Sequence, residues 1–87
     1  MFEIQYSQAA VKQLKSIPQS DRKSAILILN KIEHYALHSE SYPNVKILKG
    51  NFATFKRIRA GNYRIIFDEN NNVMNVYQIK HRKEAYQ

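Results

Sequence analysis

The chain reads as an α+β domain, with a helical hairpin covering one face of a mainly antiparallel four-stranded sheet in the order β-α-α-β-β-β. Three observations carry that reading: strict apolar alternation at the N-terminus, a helical apolar period through the first half, and turn signals between alternating runs in the second half. Phe2, Ile4 and Tyr6 alternate with Glu3 and Gln5, the period-two pattern of a half-buried strand, and Ser7 follows where a helix N-cap belongs. Ala10, Val11, Leu14 and Ile17 keep helical spacing until Pro18, and Ser20-Asp21 can cap a second helix. There Ala25, Leu29, Ile32 and Ala36 form the stripe that packs on a sheet, flanked by Ile28 and Tyr35. Residues 39–51 hold Pro43 and Gly50 and read as a loop crossing the domain. Thr54–Ala60 and Tyr63–Asp68 flank the two-residue turn signal Gly61-Asn62, and Val73–Ile79 follows a turn at Glu69–Asn72. Residues 1–87 are expected to form a single domain without internal repeats.

Charge is distributed unevenly along this chain. The formal net charge is +7, and residues 45–87 carry nine Lys or Arg against three acids, whereas residues 1–43 are nearly balanced. One end of the fold is therefore built to meet an anion, which points to nucleic acid or an acidic partner. There is no cysteine, so neither disulfides nor a thiolate zinc site can contribute. The longest apolar run, Ala25–Leu29, is far below the roughly 18 residues of a membrane span, and the N-terminus lacks a signal-peptide pattern. The expectation is a soluble, cytoplasmic protein that does not engage a membrane.

The turn at Gly61-Asn62 sets a register in which Ala60 faces Tyr63, Arg59 faces Arg64 and Ile58 faces Ile65. Parity then gives Ile58, Ala60, Tyr63, Ile65 and Phe67 to the helix-covered face, joined by Met74 and Val76. Arg57, Arg59, Arg64 and Tyr77 fall on the other face. Like charges directly opposite destabilise a sheet by up to about 1 kcal/mol, so the Arg59/Arg64 pair makes sense if an anion sits between them. After the last strand come His81, Arg82 and Tyr86, an imidazole, a guanidinium and a phenol. Those are groups that a metal-free phosphodiester cleavage would use. Each also has a plainer reading, as solvated sheet charge or a frayed basic tail.

No metal is called for by the acids, which are scattered rather than clustered. His34 and His38 stand four apart on the second helix but lack an H-E-x-x-H frame or an evident third ligand. Tyr35, Tyr42 and Phe52 read as core and loop anchors. Lys12, Lys15, Arg22 and Lys23 read as a solvated helix face that can also meet nucleic-acid phosphates.

The helical hairpin, ILKGNF at Ile47–Phe52, RIRAGNYRIIF at Arg57–Phe67 and HRKEAY at His81–Tyr86 together resemble the RelE/ParE superfamily of bacterial toxins. The likeness is to its RelE branch and covers essentially the whole chain. It implies the toxin of a type II toxin-antitoxin system, an endoribonuclease that cleaves mRNA in the A site of the 70S ribosome without a cofactor. A RelB-like cognate antitoxin would hold it inactive. Matched position by position, Arg57, Arg59, Arg64, Arg82 and Tyr86 occupy the functional places, with His81 beside them as a further catalytic candidate. Lys49, Lys56, Tyr77, Lys80 and Lys83 are the companion RNA-binding candidates. Some family members carry lysine at the first position of the strand pair, which leaves Lys56 and Arg57 as alternatives for one role. Tyr86 would either donate a proton or stack on a splayed base. Two other classes remain open: a ParE-like toxin, which shares the fold but inhibits DNA gyrase by protein binding and has no need of the His81-Arg82…Tyr86 tail, and a non-catalytic RNA- or protein-binding module.

Overall fold

The computed structural model describes residues 1–42, 45–49 and 54–83, the backbone alone at 46–49 and 54. Strand β1 (Glu3–Tyr6) leads into helix α1 (Gln8–Lys15), and a 3₁₀ turn precedes helix α2 (Arg22–Leu37). Strands β2 (Lys46–Lys49), β3 (Thr54–Ala60), β4 (Tyr63–Asn70) and β5 (Val73–His81) follow. The five strands lie in the order β1-β5-β4-β3-β2, with β1 parallel to β5 and the other pairs antiparallel. The α+β class and the helical hairpin on a mainly antiparallel sheet are as expected; the sheet has one strand more. Within the expected loop, Lys46–Lys49 pairs with Arg57 to Thr54 of β3 and forms an edge. Lys46-Ile47-Leu48-Lys49 does not alternate, so no period announces a strand, and the neighbouring backbone supplies the pairing.

Helix α1 starts where the sequence says it should, because the Ser7 side chain accepts the Ala10 N–H at 3.0 Å. The start of α2 is different. Asp21 precedes it without capping a backbone N–H, and its Oδ1 instead accepts the Ser24 hydroxyl at 2.7 Å. The buried face of α2 is Ile28, Ile32, Tyr35 and Ala36, while Leu29 is 38% exposed. The expected stripe is therefore rotated by about one residue. A period of 3.6 allows either Ile28 or Leu29 to share a face with Ile32 and Ala36, and only the tilt of the helix on the sheet chooses.

Beneath the helices, Ile58, Ala60, Tyr63, Ile65, Phe67, Met74 and Val76 are buried, the face that parity assigned. Ile79 joins them at 2% exposure, which strict alternation along β5 forbids. The cause is a β-bulge. Ile66 stands opposite Gln78 but Phe67 stands opposite Val76, so Tyr77 is an extra residue in β5. Before it even-numbered residues face the helices; after it odd-numbered ones do.

β1 ends its pairing at Tyr6 and Val76, leaving the far half of that edge of β5 without a strand neighbour. Helix α1 covers it. The Ser7 hydroxyl donates to the Tyr77 carbonyl at 2.6 Å, and the Ile79 N–H donates to Gln13 Oε1 at 2.6 Å. Two backbone groups that a bare edge would expose are thus satisfied by side chains.

At the β3–β4 turn Gly61 takes φ +61°, and a Cβ built there would lie 3.1 Å from Leu27 Cδ2 on α2. Both the backbone and the helix overhead therefore favour glycine. Gly61→Ala is expected to lower the unfolding free energy by about 1–2 kcal/mol, measured by urea denaturation. An unchanged midpoint would show that the turn relaxes freely.

Candidate functional site

The β3–β4 register places Arg59 opposite Arg64, and the β4–β5 register places Lys80 on the other side of Arg64. Three cations thus stand in one row across adjacent strands, on the face away from the helices. Each like pair works against the sheet by a few tenths to about 1 kcal/mol, and Arg64 is only 4% exposed. Arg57 lies two residues along β3 on the same face, opposite Ile66.

Beside that row the chain leaves β5 and turns over the hairpin. The Arg82 N–H donates to the Asn62 carbonyl at 2.7 Å, which holds Arg82 against the Gly61-Asn62 turn. A cleft of about 440 Å³ results, lined by Arg59, Gly61, Asn62, Tyr63, Arg64, Arg82 and Lys83. Four of those seven carry positive charge and none is acidic. A partly enclosed cavity of that composition concentrates positive potential and suits an anion such as a phosphate group.

His81 is not in this cleft. Past the bulge it stands opposite Tyr63 on the helix-covered side, with the two rings edge to face and their centroids 5.1 Å apart. It lines a separate hollow of about 360 Å³ with Gln13, Ser16 and Ile79. The sheet separates its imidazole from Arg59, Arg64 and Lys80. Its Nδ1 accepts the Lys83 N–H at 3.2 Å, so it shapes the turn that brings Arg82 and Lys83 to the cleft.

Lys56 is likewise on the helix side. Its Nζ lies 3.1 Å from Glu69 Oε1, and the Tyr35 hydroxyl donates to the same oxygen. Parity already groups Lys56 with Ile58 and Ala60, a signal that its neighbour Arg57 obscures in the sequence. Of the two alternatives for one role, only Arg57 shares a face with the cation row. Tyr77, the bulged residue, is on the open face, with its hydroxyl 3.1 Å from Asp68 Oδ2 and its ring 5.5 Å from that of Phe55. Burial and that hydrogen bond raise its phenol above the usual value, so it stays neutral. The backbone of Lys49 pairs with Thr54, while its side chain and Tyr86 lie outside the described residues. Phe55 is a residue that sequence reasoning missed, although its parity with Arg57 and Arg59 was legible.

Among the described residues no group of three or more His, Asp or Glu is arranged to hold a metal ion. His34 and His38 lie 4.9 Å apart ring to ring, and His34 Nδ1 meets the Tyr42 hydroxyl at 2.5 Å. No helix among the described residues is long and apolar enough to cross a membrane.

Residues 4–86 match the model of the ParE toxin family of type II toxin-antitoxin systems. The chain is 30% identical to toxin RelE3 of Methanocaldococcus jannaschii over 84 residues, 97% of this chain and 94% of that protein. It is similar to the toxin-antitoxin complex RelB-RelE from Methanococcus jannaschii, at 29% identity and a TM-score of 0.66 over 94% of each chain. A second likeness is to the archaeal RelE-RelB complex from Pyrococcus horikoshii, at 25% identity and a TM-score of 0.63 over 93% of this chain and 94% of that one.

The Tyr35–Glu69–Lys56 contacts generate a pH prediction. Burial first, then the hydrogen bond to Glu69 and its charge, raise the Tyr35 phenol well above its ordinary 10.0. The folded state holds that proton more tightly than the unfolded state, so the contribution to stability is whole below pH 10.0 and is lost as pH rises beyond it. The stability advantage of the native protein over Tyr35→Phe should therefore hold steady up to about pH 9 and shrink as pH rises past about 10 in urea titrations. A difference independent of pH would remove Tyr35 from the network.

Proposed function

This chain belongs to the ParE toxin family of type II toxin-antitoxin systems, and from that premise we propose that it is a ribosome-dependent endoribonuclease cleaving mRNA in the A site. The observation that carries the reading is the row Arg59, Arg64 and Lys80 beside a cleft completed by Arg82 and Lys83. Attack of an RNA 2′-hydroxyl on its own 3′-phosphate needs no external nucleophile. It does need stabilisation of the extra negative charge on the phosphorane. Guanidiniums held on adjacent strands provide that charge without reorganising during the reaction, and they stay protonated at any working pH.

His81 faces the helices, so its part is to position the Arg82-Lys83 turn rather than to exchange protons with RNA. Tyr86, the place the family likeness gives to a functional phenol, is the candidate for protonating the leaving 5′-oxygen or stacking on a base. The cytoplasm, where translating 70S ribosomes lie, is the setting this activity requires.

A RelB-like antitoxin is the proposed partner, supported by the complexes in which the similar structures occur. An apolar groove between α1 and α2, with Leu14, Ile17, Ile26 and Leu29 on its walls and Lys15 and Arg22 at its rim, suits an antitoxin segment of apolar and acidic side chains. A gyrase-inhibiting toxin is the second reading, because the matching family model is that of ParE.

Incubation with programmed ribosomes and primer extension separates the two: the ribonuclease creates new 5′ ends at A-site codons, and a gyrase inhibitor leaves the message whole. Arg59→Ala and Arg64→Ala should each slow single-turnover cleavage by about 10²–10³, the loss typical of one preorganised charge-stabilising donor. Circular dichroism confirms that each variant is folded. His81→Ala should slow it by less than about tenfold, below what a lost general acid or base costs. A larger loss at His81 than at Arg59 would reverse the assignment.

A further inference from the structure

The open face carries an aromatic pair that the phosphate chemistry leaves unused. Phe55 and Tyr77 meet edge to face, with centroids 5.5 Å apart at 86°. Tyr77 is 36% exposed and is the residue at which β5 bulges. Bulges re-aim side chains and are over-represented next to active sites. The phenol is then clamped: its hydroxyl donates to Asp68 Oδ2 at 3.1 Å, and Asn75 Nδ2 donates to Asp68 Oδ1 at 3.0 Å. An acid on an anion-binding face works against phosphate, and this clamp gives it a reason to be there.

Arg57 stands between Phe55 and Arg59 on the same face of β3, so the pair lies roughly 13 Å along the strand from the cation row, four residues at about 3.3 Å each. A polyanion seated on Arg59, Arg64 and Lys80 and continuing past Arg57 would bring its next bases over the two rings.

We propose that Phe55 and Tyr77 form a stacking platform for one unpaired nucleobase of the RNA whose phosphate occupies the Arg59–Arg64–Arg82 cleft. The inference rests on the ribonuclease reading for its substrate and adds to it a place where a base, rather than a phosphate, is held. Continuity favours this occupant over a protein segment: the platform follows Arg57 along β3 from the cationic cleft, whereas the apolar groove between α1 and α2 already suits an antitoxin segment. Stacking on aromatic rings tolerates any base, so the platform fixes the path of the strand and not its sequence.

The test uses the full chain and a fluorescein-labelled 2′-O-methyl RNA tetranucleotide, which cannot be cleaved, alongside versions with a single abasic position. Anisotropy titrations at about 50 mM salt keep the phosphate contribution strong. The native protein should bind about tenfold less tightly when one particular base is missing. Phe55→Ala and Tyr77→Ala should lose that base dependence, Tyr77→Phe should keep it, and Arg57→Ala should weaken all versions alike. Alanine variants that retain the full base dependence, or native protein that shows none, overturn the proposal. So does a result in which the alanine variants impair only capture by an antitoxin. Primer extension on ribosomes is scored separately: an uncut message overturns the ribonuclease reading, while base-dependent binding through Phe55 and Tyr77 still supports the platform.

Discussion

β5 carries one residue more than β4 between Val76 and Gln78, and the two faces of the sheet take their composition from that extra residue. The bulge lets Met74 and Val76 serve the core from one parity and Ile79 from the other. It turns His81 in towards Tyr63 and places Lys80 beside Arg64. Without it, Lys80 would face the helices and His81 would face the arginines. Helix α1 is part of the same arrangement, since Ser7 and Gln13 bond the Tyr77 carbonyl and the Ile79 N–H on the edge that β1 no longer covers.

The two faces follow opposite electrostatic rules. On the helix side, Lys56 pairs with Glu69, which also receives the Tyr35 hydroxyl, so a lysine and a carboxylate at the core's margin satisfy one another. Across the sheet, Arg59, Arg64 and Lys80 stand side by side in register. A row of like charges is a local cost of up to about 1 kcal/mol per adjacent pair, and it is the kind of local conflict that folded proteins keep where they bind something. The helix-side core, with Phe67, Ile28, Ile32, Ile65, Met74 and Val76 fully buried, provides the stability against which that cost is set.

Rigidity at the cleft comes from backbone as much as from side chains. Gly61 at φ +61° under Leu27, the Arg82 N–H on Asn62 and the Lys83 N–H on His81 hold the hairpin turn and the start of the tail together. Charged groups placed this way need little rearrangement when an anion arrives, the condition under which electrostatic stabilisation is most effective.

The sequence by itself determined whatever depends on neighbours close along the chain. A two-residue turn at Gly61-Asn62 fixes the β3–β4 register, so Arg59 opposite Arg64 and the burial of Ile58, Ala60, Tyr63, Ile65 and Phe67 were legible from parity alone. Ser7 as an N-cap was legible for the same local reason. Tertiary structure decided what alternation cannot encode. An inserted residue resets the parity of everything after it, and only the apolar Ile79 hinted at this, so the side on which His81 and Lys80 lie was set by pairing with β4. The edge strand Lys46–Lys49 exists because β3 offers it a backbone, and Ile28 rather than Leu29 is buried because of how α2 lies on the sheet. Local spacing states which side chains can share a face; only packing of one element on another settles which face that is.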